Sequence, residues 1–265
     1  MGKASRSKQG DGSRQEKIAA QRAAERRRQN RVRLLIGGSA VVAIGLIVGL
    51  ILALAPSRTS SSTASNQVLP PGVTSGTPVS QGPAVQTTST SGIPGVTAWI
   101  TTGWPTTSNN GPAAEALSHN HVDGPVTYTV NPPVGGVHNA EWMNCGIYDQ
   151  PVPSERAVHN LEHGAVWITY QPSLPQDEVS ALRAFVEHQS VITPAGAAAS
   201  RFMDLTPYTG LSSPIVISSW GFQLKVTSPS DPRLQEFVDK FRASATYTPE
   251  YGSPCTGGLG TPLET

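Results

Sequence analysis

The chain has 265 residues, 37% hydrophobic and 14% charged, with a formal charge of +1, two cysteines and six histidines. That length allows one or two domains. The near-neutral total hides an asymmetry: residues 1–33 carry eleven Lys/Arg against Asp11, Glu16 and Glu25, a local charge of +8, which leaves −7 for the remaining 232 residues. The basic tail has no aromatic residue to stack on bases, so nucleic-acid binding is set aside. Solvated charge that sets topology and touches anionic lipid is the expectation.

Residues 34–55 (LLIGGSAVVAIGLIVGLILALA) run for 22 residues without a charge. As a helix this is about 33 Å long, against a hydrocarbon core of about 30 Å, so a single transmembrane helix through the bilayer is predicted. The run exceeds the h-region of a cleaved signal peptide, the competing reading. With the basic flank before it and only Arg58 close behind, the N-terminus is expected in the cytoplasm and the rest outside the cell membrane.

Residues 56–112 are rich in Ser, Thr, Pro and Gly, and are expected to form a disordered stalk. A short ordered patch is foreseen at Val96–Trp104. A folded extracytoplasmic domain is assigned to 113–255, and a flexible tail to 256–265. Val126–Val130, Ala165–Tyr170, Phe202–Leu205, Pro214–Ser219 and Gly221–Val226 read as strands. Gln176–Gln189 and Leu234–Phe241 read as amphipathic helices, the second capped by Ser230/Asp231 with Pro232 in its first turn. Glu155–Glu162 is either a short helix closed by Gly164 or the lead-in to a strand starting at His159. The fold class is therefore α+β: a small mixed or antiparallel sheet with two packing helices, preceded by one transmembrane helix and the stalk.

Cys145 and Cys255, both on the side expected to be outside, suit one disulfide. Two unpaired thiols, or Cys145 as a metal ligand, are the alternatives. Five of the six histidines, His119, His121, His138, His159 and His163, fall within 45 residues. Neutral imidazole is a common ligand for zinc and copper, so these five are candidate metal ligands, with Met143 a further candidate. His119/His121 share a face on a strand, and His159/His163 share one on a helix. His188 is set aside as a surface residue. His159–His163 also fits H-x-x-E-H, in which a glutamate acts as general base. Glu162 is the best candidate acid/base, but Gly164 and the strand behind it leave no room for the long helix of such enzymes. A nearby thioether tips the metal toward copper over zinc. No nucleotide or organic cofactor is indicated.

The stretch 119–172 resembles the bacterial domain of unknown function numbered 3105. The resemblance rests on His119, His121, the Pro-Pro-x-x-Gly-x-His run at 132–138, Gly146-x-Tyr148 and the His159–Gly164 block, and covers residues 115–255. It implies a basic N-terminus, one anchor helix and an extracytoplasmic domain. Both cysteines sit in stretches typical of one branch (WMNCGIYD and GSPCTGG), which favours the disulfide over thiolate ligation. The family label implies no activity. Three functions stay open: a metal-binding domain, a metal-dependent or histidine-based hydrolase, and a non-catalytic cell-envelope binding module.

Overall fold

The computed structural model describes residues 76–101 and 113–265. The predicted basic tail and the predicted 34–55 span lie outside those residues. Among the described residues no helix is long and apolar enough to cross a membrane.

The strands are β1 (Val79–Ser80), β2 (Gln86–Thr87), β3 (Thr97–Trp99), β4 (His121–Val122), β5 (Val126–Thr127), β6 (His138–Asn139), β7 (Val166–Tyr170), β8 (Met203–Pro207), β9 (Ile215–Ser219) and β10 (Phe222–Val226). Three α-helices accompany them among the described residues: α1 (Ser154–Glu162), α2 (Gln176–Glu187) and α3 (Arg233–Phe241). The main sheet has six strands in the order β2-β3-β10-β9-β7-β8. Its pairs are antiparallel except β7–β8, whose parallel crossover carries α2. Two further two-stranded pairs, β1–β5 and β4–β6, are both parallel. The architecture is α+β with a mixed sheet.

Both faces of the sheet are covered, and the side-chain alternation of strands sorts them. Val166, Ile168, Met203, Leu205, Ile215, Ile217, Phe222 and Leu224 form one face. Against it pack Val179, Leu182 and Val186 of α2 and Leu234, Phe237, Val238 and Phe241 of α3. The α3 set recurs at i, i+3, i+4 and i+7, and each buried side chain contributes about 1.5–3 kcal/mol. The opposite face bears a register row of Asp204, Trp167, Ser218 and Gln223, more polar than a usual core. Its polar atoms are bonded: Trp167 Nε1–H donates to Thr206 Oγ1 at 2.9 Å, and Gln223 Nε2–H to the Pro132 carbonyl at 3.0 Å. On this face lie α1 and the histidine-bearing loops.

The short segment at 155–162 is a helix, not the start of a strand, and it is a third packed helix beside the two expected. It ends in a Schellman arrangement: Gly164 N–H donates to Leu161 O, and Ala165 N–H to Asn160 O. Gly164 makes that turn at φ 98°, a conformation that costs glycine little.

Two boundaries differ from expectation. Residues 76–101 of the expected stalk are folded: β2 and β3 extend the main sheet, and Ala98, Trp99 and Ile100 are buried. A run as short as VTAWI buries enough apolar surface to dock, although the surrounding composition is that of a linker. The expected flexible tail at 256–265 is also bound. Leu259 exchanges backbone hydrogen bonds with Trp142 and Asn144, and the 263–264 backbone with Ile147, while the Asn144 amide donates to the Gly258 and Gly260 carbonyls. Cys145 and Cys255 form the disulfide, with Cα atoms 5.3 Å apart, so neither is a thiolate ligand.

Candidate metal centre

α1 is buried along its whole polar face, so each of its polar side chains needs a partner. Arg156 donates to the Glu141 carbonyl and carboxylate at 2.9 and 3.1 Å, and Asn160 donates to Asp204 at 2.8 Å. His159 and Glu162, three residues apart, share one face of α1. Beside them β4 pairs with β6 in a register that sets His121 directly opposite His138.

The result is a cluster in which His121, His138, His159 and Glu162 each offer one donor atom, all within 4.8 Å of one another. Ring centroids are 4.7 Å apart for His121–His138, 5.1 Å for His121–His159 and 4.9 Å for His138–His159. His138, His159 and Glu162 are buried, whereas the His121 side chain is 43% exposed and opens the cluster to solvent. These donors can hold a metal ion.

Backbone carbonyls fix the histidine tautomers. The Nδ1–H of His138 donates to Gly136 O at 2.8 Å, that of His159 to Asn139 O at 2.7 Å, and that of His163 to Pro254 O at 2.6 Å. A carbonyl accepts only, so in each neutral ring Nε2 is left as a lone pair. Gly136, with φ 105°, makes the turn that aims its carbonyl at His138. Outer-shell carbonyls of this kind are what orient metal-ligating imidazoles.

His138 Nε2 and Glu162 Oε2 lie 2.7 Å apart, yet neither has a hydrogen-bond partner. With Nδ1–H spent on Gly136, two acceptors face each other in a buried site. Such a pair requires a cation, either a proton on His138 or a metal ion. Glu162 is further held by His119, whose Nδ1–H donates to Oε1 at 2.7 Å.

Burial pulls the His159 imidazole down to about 3, with the neighbouring His163 and His138 adding to the effect. Burial also lowers His163, against the Pro254 carbonyl and Glu250. Burial pushes the Glu162 carboxyl up, but the hydrogen bond from His119 and the adjoining His138 imidazole outweigh it and hold the group well below the usual carboxylate range. The site thus favours neutral His159 beside an ionised carboxylate, the protonation states of metal ligands.

Of the five histidines read as ligands, His121, His138 and His159 converge with Glu162. His119 does not join them: its ring stacks on Trp220 at 4.7 Å and it serves to position Glu162. His163 groups instead with His159 and Glu250. Met143 is fully buried in an apolar cluster with Leu117, Val158 and Leu161. His188 caps α2 by donating to Ala184 O, as a surface residue does. Glu162, the general base of the H-x-x-E-H reading, turns toward His119 and His138, while His163 turns toward Glu250. Glu250 and the three carbonyls were missed; no spacing or composition marks them.

The sequence pattern of a family described as "Protein of unknown function (DUF3105)" matches residues 119–257. No curated protein and no solved structure matches the chain. The matched stretch contains every donor of the cluster and both cysteines, and it spans more than half of the sequence. The chain belongs to the DUF3105 family.

Proposed function

We propose that this protein is a membrane-tethered, extracytoplasmic domain that binds one transition-metal ion through His121, His138, His159 and Glu162. The observation that carries the reading is the set of Nδ1–H bonds to Gly136 and Asn139 carbonyls, which commits His138 and His159 to presenting Nε2 beside Glu162. Three imidazoles and a carboxylate suit zinc. The expected preference for copper rested on a thioether, and Met143 packs in the apolar cluster instead. The tether is supported by the charge-free run at 34–55 behind a basic flank, and the oxidising compartment by the disulfide.

The partly exposed His121 leaves a route to the ion. The domain is therefore a binder whose metal is reachable, which suits metal handling at the outer face of the membrane.

The test is retention of zinc by the purified full chain after dialysis, read by elemental analysis. About one equivalent is expected, with His138→Ala lowering affinity by about a hundredfold. Retention below about 0.1 equivalents by folded protein overturns the proposal. Binding that is insensitive to His138→Ala would instead assign the short His138–Glu162 contact to a shared proton.

A further inference from the structure

The four-donor centre leaves His163 and Glu250 aside, yet these two close a second group with His159, again with donor atoms within 4.8 Å of one another. His163 Nε2 lies 3.4 Å from Glu250 Oε2; the imidazole is 4% exposed and the carboxylate 47%. The Pro254 carbonyl takes the Nδ1–H of His163, so Nε2 is again the free lone pair. The His159 and His163 rings meet at 4.4 Å, and Trp142 packs against both, at 5.7 and 5.2 Å. His159 belongs to both groups but has given its Nδ1–H to Asn139 O. It therefore has one lone pair for two positions.

We propose that His159, His163 and Glu250 form a second coordination position for the same ion, mutually exclusive with the four-donor centre, through which the ion exchanges with solvent. This rests on the metal reading above and adds a route to it. An ion that keeps His159 Nε2 while trading Glu250 and His163 for His121, His138 and Glu162 is never stripped of all protein donors. The three-donor position, with its half-exposed carboxylate, is the weaker of the two, so the ion settles at the four-donor centre and leaves by way of Glu250. The competing route runs directly past His121.

Co2+ added to the full chain is the probe, since its visible absorption reports the ligand set. Wild-type protein is expected to saturate at one equivalent, because His159 cannot serve both positions. The His138→Ala/Glu162→Gln variant is expected to keep a weaker Co2+ site with an altered spectrum, and addition of Glu250→Gln to abolish it. Glu250→Gln alone, at a half-exposed side chain, is expected to slow release of Co2+ to excess chelator about tenfold. Two equivalents in the wild type, an unchanged release rate in Glu250→Gln, or residual binding that survives Glu250→Gln in the double variant each overturns the proposal. A wild-type chain that binds no Co2+ overturns the metal reading itself, a distinguishable result.

Discussion

Burial moves two titrating groups on the α1 side of the sheet in opposite directions. His159 is lowered from 6.5 to about 3, while burial raises Asp204 from 3.8 to about 7, against hydrogen bonds from Asn160 and the Gly146 N–H. In the metal-free chain the unfolded state takes up the histidine proton near pH 6.5 and the folded state resists it. The His159 contribution is therefore lost as pH falls below that value, at about 1.4 kcal/mol per unit. Asp204 has the other sign. Its contribution is full below about 3.8 and is lost as pH rises to about 7. Between about pH 4 and 6.5 the two oppose each other. Asp204→Asn removes one of them, so urea unfolding at pH 4.5, 5.5 and 6.5 is expected to show a steeper acid loss than in wild type. Equal slopes would contradict the burial argument. At Gly164 the φ is positive, and a Cβ there would meet Thr248 Oγ1 at 2.7 Å. Gly164→Ala is expected to cost about 1–3 kcal/mol in the same measurement. The imidazoles themselves were legible because they are dense in sequence. The role of His119 was not, since β4 begins only at His121 and the i, i+2 rule does not reach back to it. Backbone carbonyls leave no mark in a sequence, so Gly136, Asn139 and Pro254 could be found only in three dimensions.

Among the elements, α2 and α3 were readable from period because each buries one regular face, whereas the four long strands, buried on both faces, were marked by short apolar runs. α1 was ambiguous because it is buried almost all round, which blurs an amphipathic pattern; the Gly164 stop was the usable signal. β1 and β2 were hidden in linker-like composition, whereas β3 falls in the ordered patch foreseen at Val96–Trp104 and joins the sheet through β10, far along the chain. The C-terminal segment shows the same dependence. Cys255 follows Pro254, whose carbonyl orients His163, and Cys145 lies on the segment that follows Asn139 of β6. The disulfide thus staples two of the three carbonyls that fix the histidines, across a separation of 110 residues. Replacing both cysteines by alanine is expected to cost about 2–5 kcal/mol and lower Tm by roughly 5–20 °C. An unchanged melting curve would show that the tail is held without it.

At the scale of the molecule, one face of the sheet is an ordinary apolar core and the other carries polar rows that hold α1 against the histidine loops. Stability and site are thereby divided between the two faces. Fold class and the site's approximate composition followed from the sequence; which donors meet followed from β4–β6 register and from α1 being a helix. The central claim is that the meeting donors are three imidazoles and one carboxylate around a metal ion. X-ray absorption of the zinc-loaded full chain tests it most directly. The account predicts a shell of nitrogen and oxygen at about 2.0–2.2 Å with imidazole outer scattering, reduced in His138→Ala. A sulfur shell at about 2.3 Å, or an oxygen-only shell without imidazole scattering, would contradict it.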